Sequence, residues 1–250
     1  MEQLSLFDFT RPKFEVNNKL RIIECFAGYG SQSMALRRLG VDYEYHRMYE
    51  IDRFAVDSFN AVHGTNFEVT DIKTVKGVDM GIEDKEHFTY LLTYSFPCTD
   101  ISIAGRMAGM AKGTETRSSL LWEVERILLE LSEIDALPQI LLMENVTQIH
   151  SPENITHYRE WIDFLTEIGY TSYGQDLNAA DYGVPQHRER TFLLSLLGEY
   201  NYKFPIPIEL NTCIEDYFED LTDEEAEKFV VKSPKALELL ERLDDEDRLN

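Results

Sequence analysis

The chain has 250 residues, of which 43% are hydrophobic and 28% are charged, a balance typical of one globular domain with a sizeable core. Its 46 acidic and 24 basic residues give a net charge of −22, so the molecule as a whole should repel DNA rather than hold it by phosphate neutralisation. No apolar run is long enough for a membrane span, the N-terminus lacks a secretory pattern, and three cysteines are too few for a disulfide framework or a zinc site. We therefore expect a cytoplasmic protein without a bound metal.

Strand-like and helix-like segments alternate along most of the chain. The strand patterns lie at residues 20–26, 45–51, 91–96, 139–143, 172–178 and 191–197, with a further candidate strand just before Asp71. The helix patterns lie at residues 34–39, 53–62, 119–133 and 158–168. This alternation predicts an α/β fold with a mostly parallel sheet, helices on both faces and active residues just past the carboxyl ends of strands.

The chain is predicted to have three parts. Residues 1–19 form an extended arm, residues 20–213 form the main domain, and residues 214–250 form an acidic helical segment. Residues 215–250 alone carry 14 acidic and five basic residues. Within 222–250, three leucines lie along one side of the expected helix: Leu237, Leu240 and Leu243.

A glycine-rich turn, Phe26 to Gly30, lies where the first strand passes into the first helix. Glycines there let the backbone approach a ligand, although a tight turn without a ligand has the same pattern. Glu50 follows about 20 residues later, where a carboxylate meets ribose hydroxyls in nucleotide-binding folds, and Asp71 could accept from an adenine amino group. Together these residues predict an adenosine-containing cofactor. No lysine follows the glycines, which disfavours a nucleoside triphosphate.

Three further features suggest covalent catalysis: a cysteine, a glutamate and a pair of arginines. Cys98 follows a strand and Pro97, which is where a nucleophile belongs, although a free cysteine is more often a small buried hydrophobe. Glu144 ends an apolar strand and needs a partner or a chemical role; Asn145 beside it could organise the local backbone. Arg188 and Arg190 alternate, so both side chains should lie on one face, unless this run is simply a solvated strand edge.

These residues belong to an ordered set of seven motifs that resembles the C5-cytosine DNA methyltransferase family over roughly residues 20 to 213. Any one of the motifs would be weak evidence, but all seven occur in order and at sensible spacings. The motifs are Phe26-Ala27-Gly28-Tyr29-Gly30, Glu50-Ile51-Asp52, Thr70-Asp71-Ile72, Phe96-Pro97-Cys98, Arg117-Ser118-Ser119-Leu120, Met143-Glu144-Asn145-Val146 and the run from Leu177 to Arg190 that contains Gln186-His187-Arg188-Glu189-Arg190.

The resemblance implies a Rossmann-like fold and methyl transfer from S-adenosylmethionine to C5 of a flipped-out cytosine. In this family a thiolate at the position of Cys98 adds to C6, and a carboxyl group at Glu144 bonds N3 and the amino group. Arg190 would contact the cytosine O2 and Arg188 would organise the pocket. The resemblance also implies DNA contacts by Ser102 and Gln186. The implied cofactor-binding residues are Phe26, Ala27, Gly28, Gly30, Glu50, Ile51, Asp71, Ile72, Pro97 and Leu120.

The sequence departs from the family pattern in three respects. Ile51 stands where an aromatic residue often stacks on adenine, and Thr99 stands where glutamine is common. Neither a target-recognition region nor the family's closing motif is recognisable. We expect the catalytic subunit of a split enzyme whose partner supplies both parts, as a heterodimer. The alternatives are a fragment of a longer enzyme, a catalytically idle binding module that keeps the fold, and a relative that acts on transfer RNA.

A short N-terminal motif lies outside the catalytic pattern. Residues Gln3, Leu4, Ser5, Leu6 and Phe7 resemble the pentapeptide that binds the bacterial sliding clamp, in which apolar anchors enter a groove. The alternative is an apolar arm that packs on its own domain. A clamp-binding role would imply a bacterial or phage protein that is tethered to replicating DNA.

Overall fold

A computed structural model describes residues 11–98, 112 and 117–246. These residues contain six strands and six α-helices, which alternate as far as the fifth strand. The strands are β1 (Lys19–Cys25), β2 (Tyr43–Tyr49), β3 (Phe88–Tyr94), β4 (Ile140–Asn145), β5 (Tyr170–Asn178) and β6 (Glu189–Leu197). The helices are α1 (Ser31–Arg38), α2 (Arg53–His63), α3 (Leu121–Glu133), α4 (Ile155–Glu167), α5 (Asp223–Ala226) and α6 (Pro234–Asp245). No helix in the described ranges combines the length and apolar character that a bilayer span requires.

The strands form one sheet in the order β2-β1-β3-β4-β6-β5. Neighbours from β2 to β4 are parallel, whereas β6 is antiparallel to both β4 and β5. The predicted α/β fold with a mostly parallel sheet is therefore confirmed. The strand order reverses direction between β1 and β3, and the crevice at such a switch point, beyond the carboxyl ends of the strands, is where open α/β sheets bind ligands.

Apolar residues line both faces of the sheet, as the period-two pattern of its strands requires. On one face, residues of β1, β3 and β4 pack against α3 and α4 in a large cluster centred on Trp161, which is fully buried. On the other face, a smaller cluster around Ile22 and Leu91 meets Leu36 of α1, and a third cluster packs α2 through Phe59. The helices thus cover both faces, as expected.

The prediction of a strand just before Asp71 is wrong. Residues 65–71 have irregular backbone that leads into a 3-10 turn, Ile72–Thr74. The physical reason lies in Asn60, whose side-chain oxygen accepts from the Phe67 amide at 2.9 Å and whose side-chain nitrogen donates to the Phe67 carbonyl at 2.9 Å. A side chain thus satisfies the backbone groups that a neighbouring strand would otherwise pair.

The acidic C-terminal segment is helical in two pieces rather than continuously. Pro234 begins α6, and the residue before a proline is disfavoured in helical conformation, so the backbone between α5 and α6 leaves the helix. No residue from 205 to 246 is buried, and Leu237 and Leu240 remain 44% and 39% exposed. This part of the chain contributes nothing to the core.

Candidate active site

The carboxyl edge of the sheet brings together the residues that the sequence motifs predicted. β1 ends at the glycine turn, β2 ends just before Glu50, and β3 ends before Cys98. Glu144 is the penultimate residue of β4. Because β1, β2, β3 and β4 are parallel neighbours, their ends share one edge.

The glycine turn has a backbone that its sequence explains. Phe26, Gly28 and Gly30 have φ angles of 57°, 56° and 83°, in the left-handed region that glycine tolerates best. Phe26 adopts this conformation despite its side chain because its amide donates to the Tyr49 carbonyl at 2.8 Å, which fixes the exit from β1. Gly30 then caps the N-terminus of α1.

Glu50 joins this turn to the next strand end. Its Oε2 accepts from the Gly28 amide at 3.0 Å, and its Oε1 accepts from the amides of Ile51 and Asp52 at 2.8 and 2.9 Å. Three backbone donors therefore fix the carboxylate, which has about four acceptor positions in all. One position is left for a ribose hydroxyl, which suits the cofactor role that the sequence predicted.

A cavity of about 510 Å³ opens beside Glu50. Asp71 lies on its wall; one carboxylate oxygen accepts from the Lys73 amide at 3.0 Å, and no described residue donates to the other. Ile51 exposes 64% of its surface there and offers an apolar wall for a flat ring. The lining also includes Phe26, Tyr49, Asp52, Thr70, Ile72, Lys73, Pro97 and Leu120. A lining that combines acidic and apolar side chains fits the adenosine part of S-adenosylmethionine.

Two of the predicted cofactor-binding residues are largely buried. Ile72 is 5% exposed and belongs to the main core cluster as well as to the cavity wall. Gly30 does not line the cavity; it is buried against α2, where a Cβ atom would come within 2.7 Å of the Phe59 ring. Ala27 and Gly28 instead line a neighbouring groove.

The loop that carries Cys98 is held by two side chains. Asn145, at the end of β4, donates to the Phe96 carbonyl at 3.0 Å and accepts from the Val146 amide at 2.8 Å. Ser118 donates to the Pro97 carbonyl at 2.8 Å. Asn145 is therefore the local organiser that its position suggested, and Cys98 itself is half-buried against the core.

The other two cysteines differ from Cys98. Cys25 is buried, and burial raises the pKa of its thiol to about 12, which makes thiolate formation unfavourable. Cys213 is exposed and lies beyond β6, in the segment that adds nothing to the core. Cys25 ends β1 inside the core, so of the three thiols only Cys98 lies partly exposed in a loop just past the carboxyl end of a strand.

Glu144 and Arg190 form an ion pair across β4 and β6. Arg190 Nε lies 3.1 Å from Glu144 Oε1, and each side chain is 23% exposed. A cavity of about 300 Å³ adjoins the pair, with Arg188, Tyr182 and Phe192 in its wall. Arg188 and Arg190 do lie on one face, as their alternation predicted. A carboxyl group beside a guanidinium can contact the edge of a planar ring that carries both acceptors and donors.

Asn178 was not singled out from the sequence, yet it shapes this cavity. Its side-chain oxygen accepts from the Arg188 amide at 3.0 Å and from the Ala180 amide at 3.2 Å, so it closes the turn between β5 and β6. The signal was available, because asparagine commonly bonds the backbone two residues on in turns. Gln186 lies exposed in the same connection, where its amide donates to the Val184 carbonyl at 2.7 Å.

Five predicted positions lie outside the described residues. Ser102, assigned to a DNA phosphate, falls within 99–111, and the proposed clamp-binding residues fall within 1–10: Gln3, Leu4, Leu6 and Phe7. Their roles therefore stay predictions.

Comparison with known proteins identifies the family of this fold and site. The family model of the C-5 cytosine-specific DNA methylase matches residues 20–247. The type II methyltransferase M2.ScrFI of Lactococcus lactis subsp. cremoris is 32% identical, over 86% of this chain and 71% of the relative. The type II methyltransferase M.HhaI of Haemophilus parahaemolyticus is also 32% identical, over 85% of this chain and 60% of the relative.

Solved structures share the fold. A putative DNA modification methyltransferase encoded within an Escherichia coli prophage superposes with a TM-score of 0.63 at 20% identity, over 82% of this chain and 56% of that one. The Dnmt2 methyltransferase of S. pombe gives a TM-score of 0.56 at 21% identity, over 83% of this chain and 57% of that one. The chain thus spans about 60% of the length of several proteins that it matches.

Proposed function

Because the chain belongs to the C-5 cytosine-specific DNA methylase family, whose members use S-adenosylmethionine, we propose that it methylates C5 of cytosine in DNA through a covalent Cys98–C6 adduct. The observation that carries this proposal is the meeting of three features on one sheet edge. These are the Cys98 loop, the Glu144–Arg190 pair and the cavity beside Glu50 and Asp71.

The chain's own residues supply the covalent chemistry. The Cys98 thiolate forms a carbon–sulfur bond at C6, and the electron pair displaced from the C5–C6 double bond moves towards N3. Glu144 donates a hydrogen bond at N3 and so stabilises that charge, while Arg190 contacts O2. Ring carbon C5 becomes nucleophilic only after C6 is saturated, which is why a covalent step is needed.

S-Adenosylmethionine supplies an electrophilic methyl group when it is bound. Glu50 would hold its ribose hydroxyls, Asp71 its adenine amino group and Ile51 one face of the adenine. After C5 has gained the methyl group, a base removes the C5 proton; its electron pair restores the double bond and expels the Cys98 thiolate. The chain thus ends each cycle with its cysteine unmodified.

A DNA duplex with 5-fluorocytosine in mixed sequence tests the adduct. Fluorine at C5 cannot leave as a proton does, so the elimination step stops and the protein stays bonded to DNA. With S-adenosylmethionine and the second chain proposed below both present, we expect a complex that survives denaturation and whose mass equals protein plus methylated DNA. Cys98→Ser should give none.

Cys213→Ser is the matched control, because it makes the same change at an exposed thiol in the segment beyond β6, outside the cavities described above. It should form the complex as fast as the unchanged protein. A stable complex with Cys98→Ser would refute the nucleophile assignment. The same assay with transfer RNA distinguishes the RNA relative, which would trap RNA and not DNA. The idle module would trap neither under any condition.

We further propose that a second, basic protein chain completes the enzyme and supplies target recognition. A net charge of −22 is unsuited to holding DNA without such a partner. An apolar groove of about 620 Å³ also lies open between α1 and β6. Leu36 and Leu39 line one side, Leu142 and Phe192 the other, and Leu39 is 77% exposed.

We call Cys98, Glu144, Arg188 and Arg190 the cytosine cluster. The groove adjoins both parts of the site, because its lining includes Gly28 of the glycine turn and Glu144 and Arg188 of the cytosine cluster. A chain seated there would shield the cofactor and the reacting base from water at once. An apolar helix from a basic partner suits both the groove and the charge of this protein.

Methyl transfer with and without the product of the adjacent gene tests this proposal. We expect strong activity only with both chains, and Leu39→Asp should weaken their co-purification. Leu129→Asp is the control, because Leu129 is a leucine 45% exposed on α3, which packs on the opposite face of the sheet. Full activity from the isolated chain would refute the split arrangement.

The N-terminal pentapeptide is proposed to bind a bacterial sliding clamp. Its support is the sequence alone, with Leu6 and Phe7 as apolar anchors and Gln3 at the entry. Capture on immobilised clamp should be lost in the Leu6→Ala, Phe7→Ala double variant. Unchanged capture would favour an arm that packs on its own domain.

A further inference from the structure

His63 ends α2 close to the glycine turn. Its Nε2 lies 2.8 Å from the carbonyl oxygen of Tyr29, which stands between Gly28 and Gly30. None of the family motifs quoted above includes His63. The contact nevertheless involves the backbone of the glycine turn, which the cofactor must approach. The imidazole can therefore influence the site by holding that backbone in place.

The surroundings of the imidazole assign different roles to its two nitrogens. A carbonyl only accepts, so Nε2 donates to Tyr29. Nδ1 lies 2.7 Å from the Tyr45 hydroxyl and 3.1 Å from Nη2 of Arg37, and a guanidinium only donates, so Nδ1 accepts from Arg37. The orientation of the imidazole is fixed from α1 through Arg37 and from β2 through Tyr45.

Close packing fixes the distance as well as the orientation. The Phe59 and His63 rings have centroids 4.4 Å apart. A Cβ atom on residue 30 would lie 2.3 Å from His63 Nε2, so only glycine admits the imidazole this close to the turn. The Gly30 φ of 83° gives the same restriction.

The turn is thereby held from two directions. Glu50 accepts from the Gly28 amide at 3.0 Å, and His63 donates to the Tyr29 carbonyl at 2.8 Å. These bonds hold the Ala27–Gly28 and Tyr29–Gly30 peptide groups, which flank the Gly28–Tyr29 peptide group on either side. One comes from a carboxylate already assigned to the cofactor and the other from a residue that does not line the cofactor cavity.

We propose that His63 is a positioning residue for the cofactor site, which sets the glycine turn in the conformation that binds S-adenosylmethionine. The inference rests on the proposed use of this turn by the cofactor. It assigns to the Arg37–Tyr45–His63 cluster a role in cofactor affinity rather than in global stability. Loss of the hydrogen bond to Tyr29 should free the turn without opening the core.

Calorimetric titration with S-adenosylhomocysteine measures the effect on the whole chain. We expect His63→Ala to bind about tenfold more weakly, the value of one hydrogen bond to a structured backbone. His63→Gln should stay within about threefold of the unchanged protein, because its amide nitrogen can reach the same carbonyl. His87→Ala is the matched control, since His87 precedes β3 at the opposite edge of the sheet and bonds only Asp84 among the described residues.

Hydrogen exchange of the unliganded protein gives a second measurement that needs no cofactor. The Gly28 and Gly30 amides, bonded to Glu50 and Ala27, should exchange at least about tenfold faster in His63→Ala, whereas the Leu92 amide in β3 should not change. Equal affinity and equal exchange in His63→Ala would overturn the inference. A different outcome would refute the cofactor assignment alone. In that outcome the Gly28 and Gly30 amides exchange faster in His63→Ala than in the unchanged protein, but the unchanged protein binds no S-adenosylhomocysteine.

Discussion

The cofactor cavity and the cytosine cluster share one edge of the sheet, but they are built from different atoms. Backbone groups shape the cavity: the positive φ angles of the glycine turn and the three amides that hold Glu50. Side chains form the cytosine cluster, in which Glu144 depends on Arg190 and the Cys98 loop depends on Asn145. The cavity should therefore tolerate substitutions at its surface, whereas the cluster should fail when one functional group changes.

Glu144→Gln gives the largest expected effect and tests this contrast directly. Glutamine keeps the shape but cannot carry the charge or the proton that the reacting ring requires. Methyl transfer to DNA should fall roughly 10³-fold, and the affinity for S-adenosylhomocysteine should change less than about twofold. Glu189→Gln, an exposed carboxylate on β6, is the control. A large loss of cofactor affinity in Glu144→Gln would show that the two regions are not independent.

Glu24 is a buried glutamate that links β1 to α1, and its effect on stability should depend on pH. It is 1% exposed on β1, its Oε2 accepts from Ser33 of α1 at 2.5 Å, and no described group bonds its Oε1. Burial raises its pKa from 4.5 to about 7. Between those values the unfolded chain is ionised while the folded chain keeps the proton. Folding therefore becomes less favourable as pH rises from about 4.5 to 7, by an amount on the order of 3 kcal/mol, and above pH 7 this destabilisation stays constant.

Glu24→Gln should remove that loss. Urea unfolding should show the variant equal to the unchanged protein near pH 4 and more stable by up to about 3 kcal/mol at pH 8. Glu44→Gln should behave oppositely, because the hydrogen bond from Arg21 lowers the pKa of Glu44, so its contribution exists above the ordinary pKa and disappears in acid. A Glu24→Gln difference that is independent of pH would contradict the assignment.

The sequence could predict the cluster better than the support beneath it. Cys98, Glu144 and Arg190 provide chemistry that few residue types can, so their identities and order were enough to predict that they share one edge of the sheet. His63 and Asn178 act through single bonds to distant backbone, to Tyr29 and Arg188, and no local pattern shows which backbone atom a side chain will reach. Glu24 is similar, since a glutamate in a strand does not reveal that its neighbours leave it without water.

The fold could be predicted for a related reason. The prediction was wrong where a side chain bonded the local backbone. Apolar periodicity fixes which segments pair when a strand can be satisfied only by another strand. Asn60 breaks that condition at Phe67 and removes the expected strand before Asp71. The sequence did not predict that β6 runs antiparallel to its neighbours either. The connection that lets β6 return beside β5 is closed by a hydrogen bond from the Arg188 amide to the Asn178 side chain.

Asn145→Ala should have an intermediate effect that separates stability from catalysis. It removes two bonds at a residue 2% exposed, so unfolding should cost about 2 kcal/mol less. Because the Cys98 loop loses its anchor, trapping by 5-fluorocytosine DNA should also slow by at least about tenfold. Asn154→Ala is matched, since Asn154 is 3% exposed and makes two side-chain bonds near α4. It should lose similar stability with unchanged trapping; equal slowing in both variants would mean that stability alone limits the reaction.

Ile51→Phe should have the smallest effect, and in the favourable direction. Ile51 lines the cavity with 64% of its surface exposed, so a larger side chain has room there and displaces no packed neighbour. A phenyl ring offers a flat face on which adenine can stack, a gain of about 1 kcal/mol or roughly fivefold in S-adenosylhomocysteine affinity. Val78→Phe is the matched control, because Val78 is also 64% exposed but does not line this cavity. Weaker binding by Ile51→Phe alone would place the adenine elsewhere. Tighter binding would show that this wall, unlike the cytosine cluster, can be altered and still function, because the backbone behind it determines its shape.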